Sequence, residues 1–346
     1  MASVKKEAGE QRVHWIDTLK FIGMFEIYLG HFFEKSGLAY EFVFTHHVAL
    51  FFFLAGCTEM LNKETSIKKN IWKKIKNLWI PFVMFAIFDI FIKVITLNEN
   101  LGNVKEYIYL VLRGCVRNTF FAAGLWFLSC LFIMSILFQF IKKIQNKVIL
   151  LALGLTCFLM ASKIHIDFYN ISSMLYYIIY FVLGYVSFEK INRLLTDSSL
   201  KNKIFLIVTT CGTVFYTVVL FFGVNLLGEF RNIKFINRFI PIIETLIVIW
   251  FWIIIANIIQ NVKMFNDIGK NSLYLCGSEY MIEMLVWHFL SIFGITLALQ
   301  TPLATYIYVF VLLNIANRYW VPVLKYTIKI ITRYVDKIEK ILHLEG

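Results

Sequence analysis

The chain has 346 residues, of which 59% are hydrophobic, 17% aromatic and only 16% charged. A soluble domain carries about 25% charged residues, so the composition excludes a soluble globular enzyme and points to an all-α polytopic membrane protein. The net charge of +12 sits largely in short loops between apolar runs, so topology accounts for it and no nucleic-acid partner is expected.

Crossing a hydrocarbon core takes roughly 20 residues of helix, and suitable apolar runs lie near 15–33, 43–61, 79–97, 125–141, 148–162, 172–188, 204–223, 238–259, 272–298 and 302–322. About ten transmembrane helices are therefore predicted. The polar start "MASVKKEAGEQRVHW" is followed by no small-residue cleavage site, so the first helix is expected to be retained. Arg113 and Arg117 interrupt the run from Tyr107 to Ala123, which predicts an amphipathic or re-entrant helix on one face of the membrane.

Lys and Arg are kept on the cytoplasmic side of short loops, and here they alternate. They precede the first span (Lys5, Lys6, Arg12), join the second to the third (Lys63, Lys68, Lys69, Lys73, Lys74, Lys76) and follow the fourth (Lys142, Lys143, Lys147). They then follow the sixth (Lys190, Arg193, Lys201, Lys203) and the last (Lys325, Lys329, Arg333, Lys337, Lys340). Both termini are expected in the cytoplasm. The chain divides into a cytoplasmic segment over 1–14, a transmembrane domain over 15–322 and a basic cytoplasmic tail over 323–346. The recurrent Phe, Ile, Tyr and Asn suit an AT-rich bacterial genome, hence a bacterial plasma membrane. Six cysteines lie mostly in apolar runs without metal-ligand spacing; they read as small buried hydrophobes, and no metal is expected.

Polar chemistry concentrates in "DTLKFIGMFEIYLGHF", Asp17 to Phe32. Lys20 and His31 are eleven positions apart, close to three helical turns, so they share a face about 16 Å apart, and Asp17 lies one turn before Lys20. A lone histidine near a membrane boundary is most often structural. A shared stripe of Asp, Lys and His points instead to a cavity or a path, because ionisable groups are expensive in lipid. Glu26 lies off the stripe and receives no role. In "GSEYMIEML", Glu279 and Glu283 are one turn apart and face the same way. Helix depth matches Glu279 with Lys20 and Glu283 with His31.

These segments resemble the membrane acyltransferase 3 family. "RVHWIDTLKFIGMFEIYLGHF" is similar to its opening helix, with Lys20 at the arginine position and His31 at the histidine position. "FFFLAG" (51–56), "KKIKNLWIP" (73–81), "LWFL" (125–128), "YFVLGY" (180–185) and "GKNSLYL" (269–275) continue the likeness in order. Departures accompany it. Lys20 keeps the charge of arginine but loses its fork, the second basic motif survives only as Lys74 followed by Asn77, and Glu279 stands where many members carry histidine.

The resemblance implies transfer of an acyl group, commonly acetyl, from cytoplasmic acyl-CoA to a hydroxyl of a cell-envelope glycan or glycolipid. His31 then serves as general base or transient acyl carrier, with Lys20, Asp17, Glu279 and Glu283 around it. Lys69, Lys73, Lys74 and Lys76, with Trp126 and Tyr274 as stacking groups, are candidates for the donor. The partners expected are acyl-CoA, the envelope acceptor and the lipid bilayer, with monomer and homo-oligomer both left open. A transporter or flippase of a glycan or lipid-linked sugar is the alternative that would use the same stripe; unlike repeat-built transporters, the chain has no paired broken helices in two halves.

Overall fold

A computed structural model describes residues 12–97, 101–117, 119, 124–295 and 299–341. Lys5, Lys6 and the end of the basic tail lie outside them. Among the described residues the chain is all helix and turn, with no strand. In a membrane this is the physical solution for a single apolar chain, because each helix satisfies its own backbone donors and acceptors. The first helices are α1 (His14–His31), α2 (His47–Met60), α3 (Ile67–Lys74), α4 (Ile80–Leu97) and α5 (Leu101–Leu112). Then come α6 (Leu125–Ile141), α7 (Lys147–Ala161), α8 (Ile171–Thr196), α9 (Leu200–Phe221) and α10 (Ile240–Ile259). The last are α11 (Lys263–Lys270), α12 (Ser272–Gly277), α13 (Glu279–Ile292), α14 (Pro302–Ile315) and α15 (Val321–Ile341).

Five helical stretches are long and apolar enough to cross a membrane: Ile67–Leu97, Phe168–Thr196, Leu200–Phe221, Ile240–Ile259 and Pro302–Lys337. Helices α2, α6 and α7 are apolar but shorter. The protein is therefore a membrane protein, and the remaining expected spans differ from simple apolar rods for definable reasons. Helix α1 carries Asp17, Lys20 and Glu26 within its 18 residues. The run expected as one helix over 272–298 is broken at Ser278 (φ −112°, ψ 8°) into α12 and α13, and positions 296–298 lie outside the described residues. The expected re-entrant helix over 107–123 is helical only to Leu112, and positions 118 and 120–123 lie outside the described residues.

Close helix contact rather than apolarity holds such a bundle together, since lipid is as apolar as leucine. The most extensive crossing joins α2 to α8. A Cβ on Gly56 would collide with the Phe181 carbonyl, and one on Gly184 with the Phe53 carbonyl, so the two backbones touch where both side chains are absent. Gly269 does the same for α11 against the Asp17 backbone of α1. With α1 buried along most of its length, its polar residues face protein rather than lipid. Of the six cysteines, Cys57, Cys115, Cys130 and Cys276 are buried as expected and Cys157 is half-buried; Cys211 is exposed, because α9 lies at the margin of the bundle with few buried residues.

Candidate functional site

Helix α1 carries its polar residues to two ends of the bundle. At its start, Arg12, Asp17, Lys20 and Lys63 line a cavity of ≈ 450 Å³. Asp17 is held by Arg12, Nε to Oδ2 at 2.5 Å. Lys20 makes no ion pair among the described residues, and its cation is left to face the cavity. Lysine stems that line such a cavity keep the ammonium available while the methylenes pack.

The neighbouring lysines are used differently. Buried Glu59, on α2, accepts from Lys74 Nζ at 2.7 Å, Lys142 Nζ at 2.9 Å and Gln139 Nε2 at 3.0 Å. Lys76 pairs with Asp336 at 3.1 Å. Lys69 and Lys73 are exposed, and Lys73 reaches Asn62 beside Lys63 at 3.5 Å. The basic loop is thus partly consumed by ion pairs, a use that its charge pattern could not reveal without Glu59, on another helix.

At the other end of α1, His31 Nδ1 meets Glu279 Oε1 at 2.6 Å. The His31 side chain is 32% exposed and that of Glu279 only 2%. The expected pairing of Glu279 with Lys20 is overturned by this contact, whereas Glu283 lies within electrostatic reach of His31. The break at Ser278 is the physical reason. It makes Glu279 the first residue of a new helix, where the N-terminal dipole and free N–H groups favour a carboxylate, and it redirects that residue toward His31. The contact is close, but the ring N–H is not aligned with the carboxylate, and neither Glu279 oxygen has an aligned donor among the described residues. Such geometry is common before a substrate tightens a site. With Nδ1 facing the carboxylate, Nε2 is the nitrogen left for a substrate. Glu283 Oε1 is buried nearby without a hydrogen-bond partner.

A second pair escaped the sequence reading. His46 Nε2 meets both oxygens of Glu26 at 2.9 Å, so the glutamate left unassigned on α1 has a partner. The Trp252 indole N–H points to the same nitrogen at 3.1 Å. The Thr45 hydroxyl donates to the Phe42 carbonyl at 2.7 Å, leaving its oxygen to accept from His46 Nδ1 at 3.0 Å. Every polar atom of that ring is engaged. The adjacent His47 turns Nδ1 to the Val43 carbonyl at 2.5 Å and lies within electrostatic reach of His31, His46 and Arg117.

Trp126 belongs to this end, not to the lysines: the Arg117 guanidinium lies 4.7 Å from its ring centroid and 5.9 Å from that of Tyr177. Gly124, two residues earlier, packs against Cys276 and Glu279. Tyr274 is an edge-on neighbour of Phe85 with the Lys325 ammonium 5.4 Å from its ring. Among the described residues no group of His, Cys, Asp and Glu could hold a metal ion.

Comparison with curated proteins gives no match, and comparison with solved structures gives none. A family model described as "Acyltransferase domain" matches residues 13–316, a span that takes in Asp17, Lys20 and the His31–Glu279 contact and runs to the end of α14. The chain belongs to the acyltransferase 3 family.

Proposed function

We propose that this acyltransferase moves an acyl group, acetyl in the simplest case, from acyl-CoA at the lysine-rich, cytoplasmic face to a hydroxyl of a cell-envelope glycan or glycolipid at the opposite face. The observation that carries the reading is the His31–Glu279 contact, with a partly open imidazole backed by a buried carboxylate from another helix. A carboxylate at Nδ1 fixes the tautomer and stabilises the imidazolium, while Nε2 takes a proton, the division of labour of an orienting acid and its base.

The reaction balances without a metal. Nε2 of His31 removes the acceptor hydroxyl proton as that oxygen attacks the thioester carbonyl. The C–S bond breaks, CoA leaves as thiolate, and the imidazolium returns the proton to it. Cationic Lys20, with Lys63 and Arg12 around the same cavity, suits the donor's phosphates, and exposed Lys73 and Lys69 extend that charge outward. Three turns of α1 separate Lys20 from His31 by about 16 Å, a span that an extended pantetheine arm covers. Lys74 and Lys76 contribute to the field of the face while held by Glu59 and Asp336.

The test is incubation of the purified protein with radiolabelled acetyl-CoA and a cell-envelope extract. The expected result is CoA release with label in the extract or on the protein. Absence of both CoA release and CoA binding, with active controls, would overturn the reading and favour a translocation role for the same polar groups.

A further inference from the structure

Beyond His31, the end of the bundle opposite Arg12 and Lys63 contains two adjoining cavities that no step above uses. One, of ≈ 430 Å³, is lined by Arg117, Ser172, Ser173, Tyr176 and Arg238. The other, of ≈ 250 Å³, is lined by His46, Tyr176, Tyr177, Arg231 and Glu244. Tyr176 and Pro241 line both, so they form one cleft. Arg117 on its wall lies within electrostatic reach of His47, which in turn lies within electrostatic reach of His31.

Three features of the cleft bear on its occupant. First, it is cationic where the membrane rule predicts few cations: Lys and Arg are depleted from the outward face of short loops, yet Arg117, Arg231 and Arg238 all line it. Arg231 is paired with Glu244 at 3.0 Å, whereas Arg117 and Arg238 make no ion pair among the described residues. Second, it is aromatic. Tyr176 and Tyr177 meet edge to face with centroids 4.9 Å apart, and Trp126 stands 6.2 Å from Tyr177. Such rings offer flat apolar faces with polar tips, which suit the C–H faces of sugar rings. Third, Glu244 lines the cleft at 6% exposure, with one oxygen held by Arg231 and the Tyr216 hydroxyl beside the carboxylate but not aligned with its Oε1. That oxygen keeps lone-pair capacity to accept from a sugar hydroxyl.

We infer that this cleft binds the acceptor as an acidic glycan, with Arg117 and Arg238 meeting its carboxylate or phosphate groups, Tyr176 and Tyr177 stacking on a ring, and Glu244 accepting from a hydroxyl. The inference rests on the proposed transfer at His31 for its purpose, but not for its test. Arginine is the side chain suited to these anions, since its planar fork matches both geometries.

The experiment measures binding by the full chain in detergent without any acyl donor. The probes are a tetramer of uronic acids, its carboxyl-reduced neutral twin and a phosphate-bearing tetrasaccharide. One of the acidic probes, or both, is expected to bind at least about tenfold more tightly than the neutral twin, with an affinity that falls as salt rises; the tighter of the two identifies the anion. Arg117→Gln and Arg238→Gln, each checked for an unchanged unfolding temperature, are expected to remove most of that preference. Equal binding of all three probes, no binding of any, or a preference intact in both variants would overturn the inference. Binding of an acidic probe by a protein that releases no CoA would keep the cleft assignment and remove the transfer reading, and CoA release to neutral and acidic glycans alike would do the reverse.

Discussion

His31 meets Glu279 at 2.6 Å and His46 meets Glu26 at 2.9 Å, both at the same end of the bundle, and the two pairs differ in their surroundings. The His46 side chain is sealed at 0% exposure, with Thr45 taking the nitrogen that Glu26 leaves and the Trp252 indole closing over the other. His31 is a third exposed, and the Glu279 carboxylate is its only ion-pair partner among the described residues. The same pair of residue types is thus a buried tie in one place and, in the mechanism proposed above, an accessible base in the other. Access, not the identity of the pair, separates chemistry from architecture.

The largest expected difference between them is in turnover. His31→Ala should lower kcat by about 10²- to 10⁴-fold, the usual worth of a positioned general base, while the protein inserts and unfolds as before. Wild-type turnover in a folded variant would remove His31 from the mechanism. Glu26→Gln should act on the other axis. Breaking a buried ion pair costs about 3 kcal/mol or more, so its unfolding temperature should drop clearly while the kcat of the surviving folded fraction stays near wild type. An unchanged unfolding temperature with a lost kcat would make His46 a second chemical group.

Glu279→Gln should reduce kcat more than Glu283→Gln. A double-mutant cycle should give coupling to His31 above about 0.5 kcal/mol, the usual additivity error, for Glu279. Coupling to Glu283 alone would show that the contact in the structure is not the working one. A smaller effect is expected at the donor end. Lys20→Ala should raise the KM for acyl-CoA severalfold with little change in kcat, because contacts remote from the thioester bind ground and transition states alike. Lys20→Arg should restore it. Lys73→Gln, at an exposed position, should do least of all, and a KM change there exceeding that of Lys20→Ala would move the donor's phosphates away from the cavity.

Periodicity made some of this legible before any coordinates. The Lys20/His31 face follows from the 3.6-residue repeat of a single helix, and the two ends of α1 are where that repeat puts them. Pairings between helices did not follow. Glu26 and His46 are twenty positions apart on elements whose mutual rotation no local pattern encodes, so the glutamate looked idle. Glu279 was matched to Lys20 by assuming a straight helix, although the dipeptide Gly277–Ser278 just before it was a visible signal of a break. Gly277 has its own reason to be there, since a Cβ would strike the Phe85 ring. Arg117 comes from the connection before α6 and Arg231 and Arg238 from that between α9 and α10, and only folding shows that they share a cleft. The lysines were read as marking one face, but the carboxylate that binds two of them lies on α2.

Glu59 gives those lysines two employments separated in time. On the expected topology, Lys74 and Lys142 would act as free charges that resist translocation while the chain is threaded into the bilayer, before α2 and α6 are neighbours. In the assembled bundle both ammonium groups close on one buried carboxylate, so charges expected to direct insertion also serve as its cross-brace. Glu59→Gln should therefore leave the threading direction intact and loosen only the assembled state, because the compass is read before the brace is fastened.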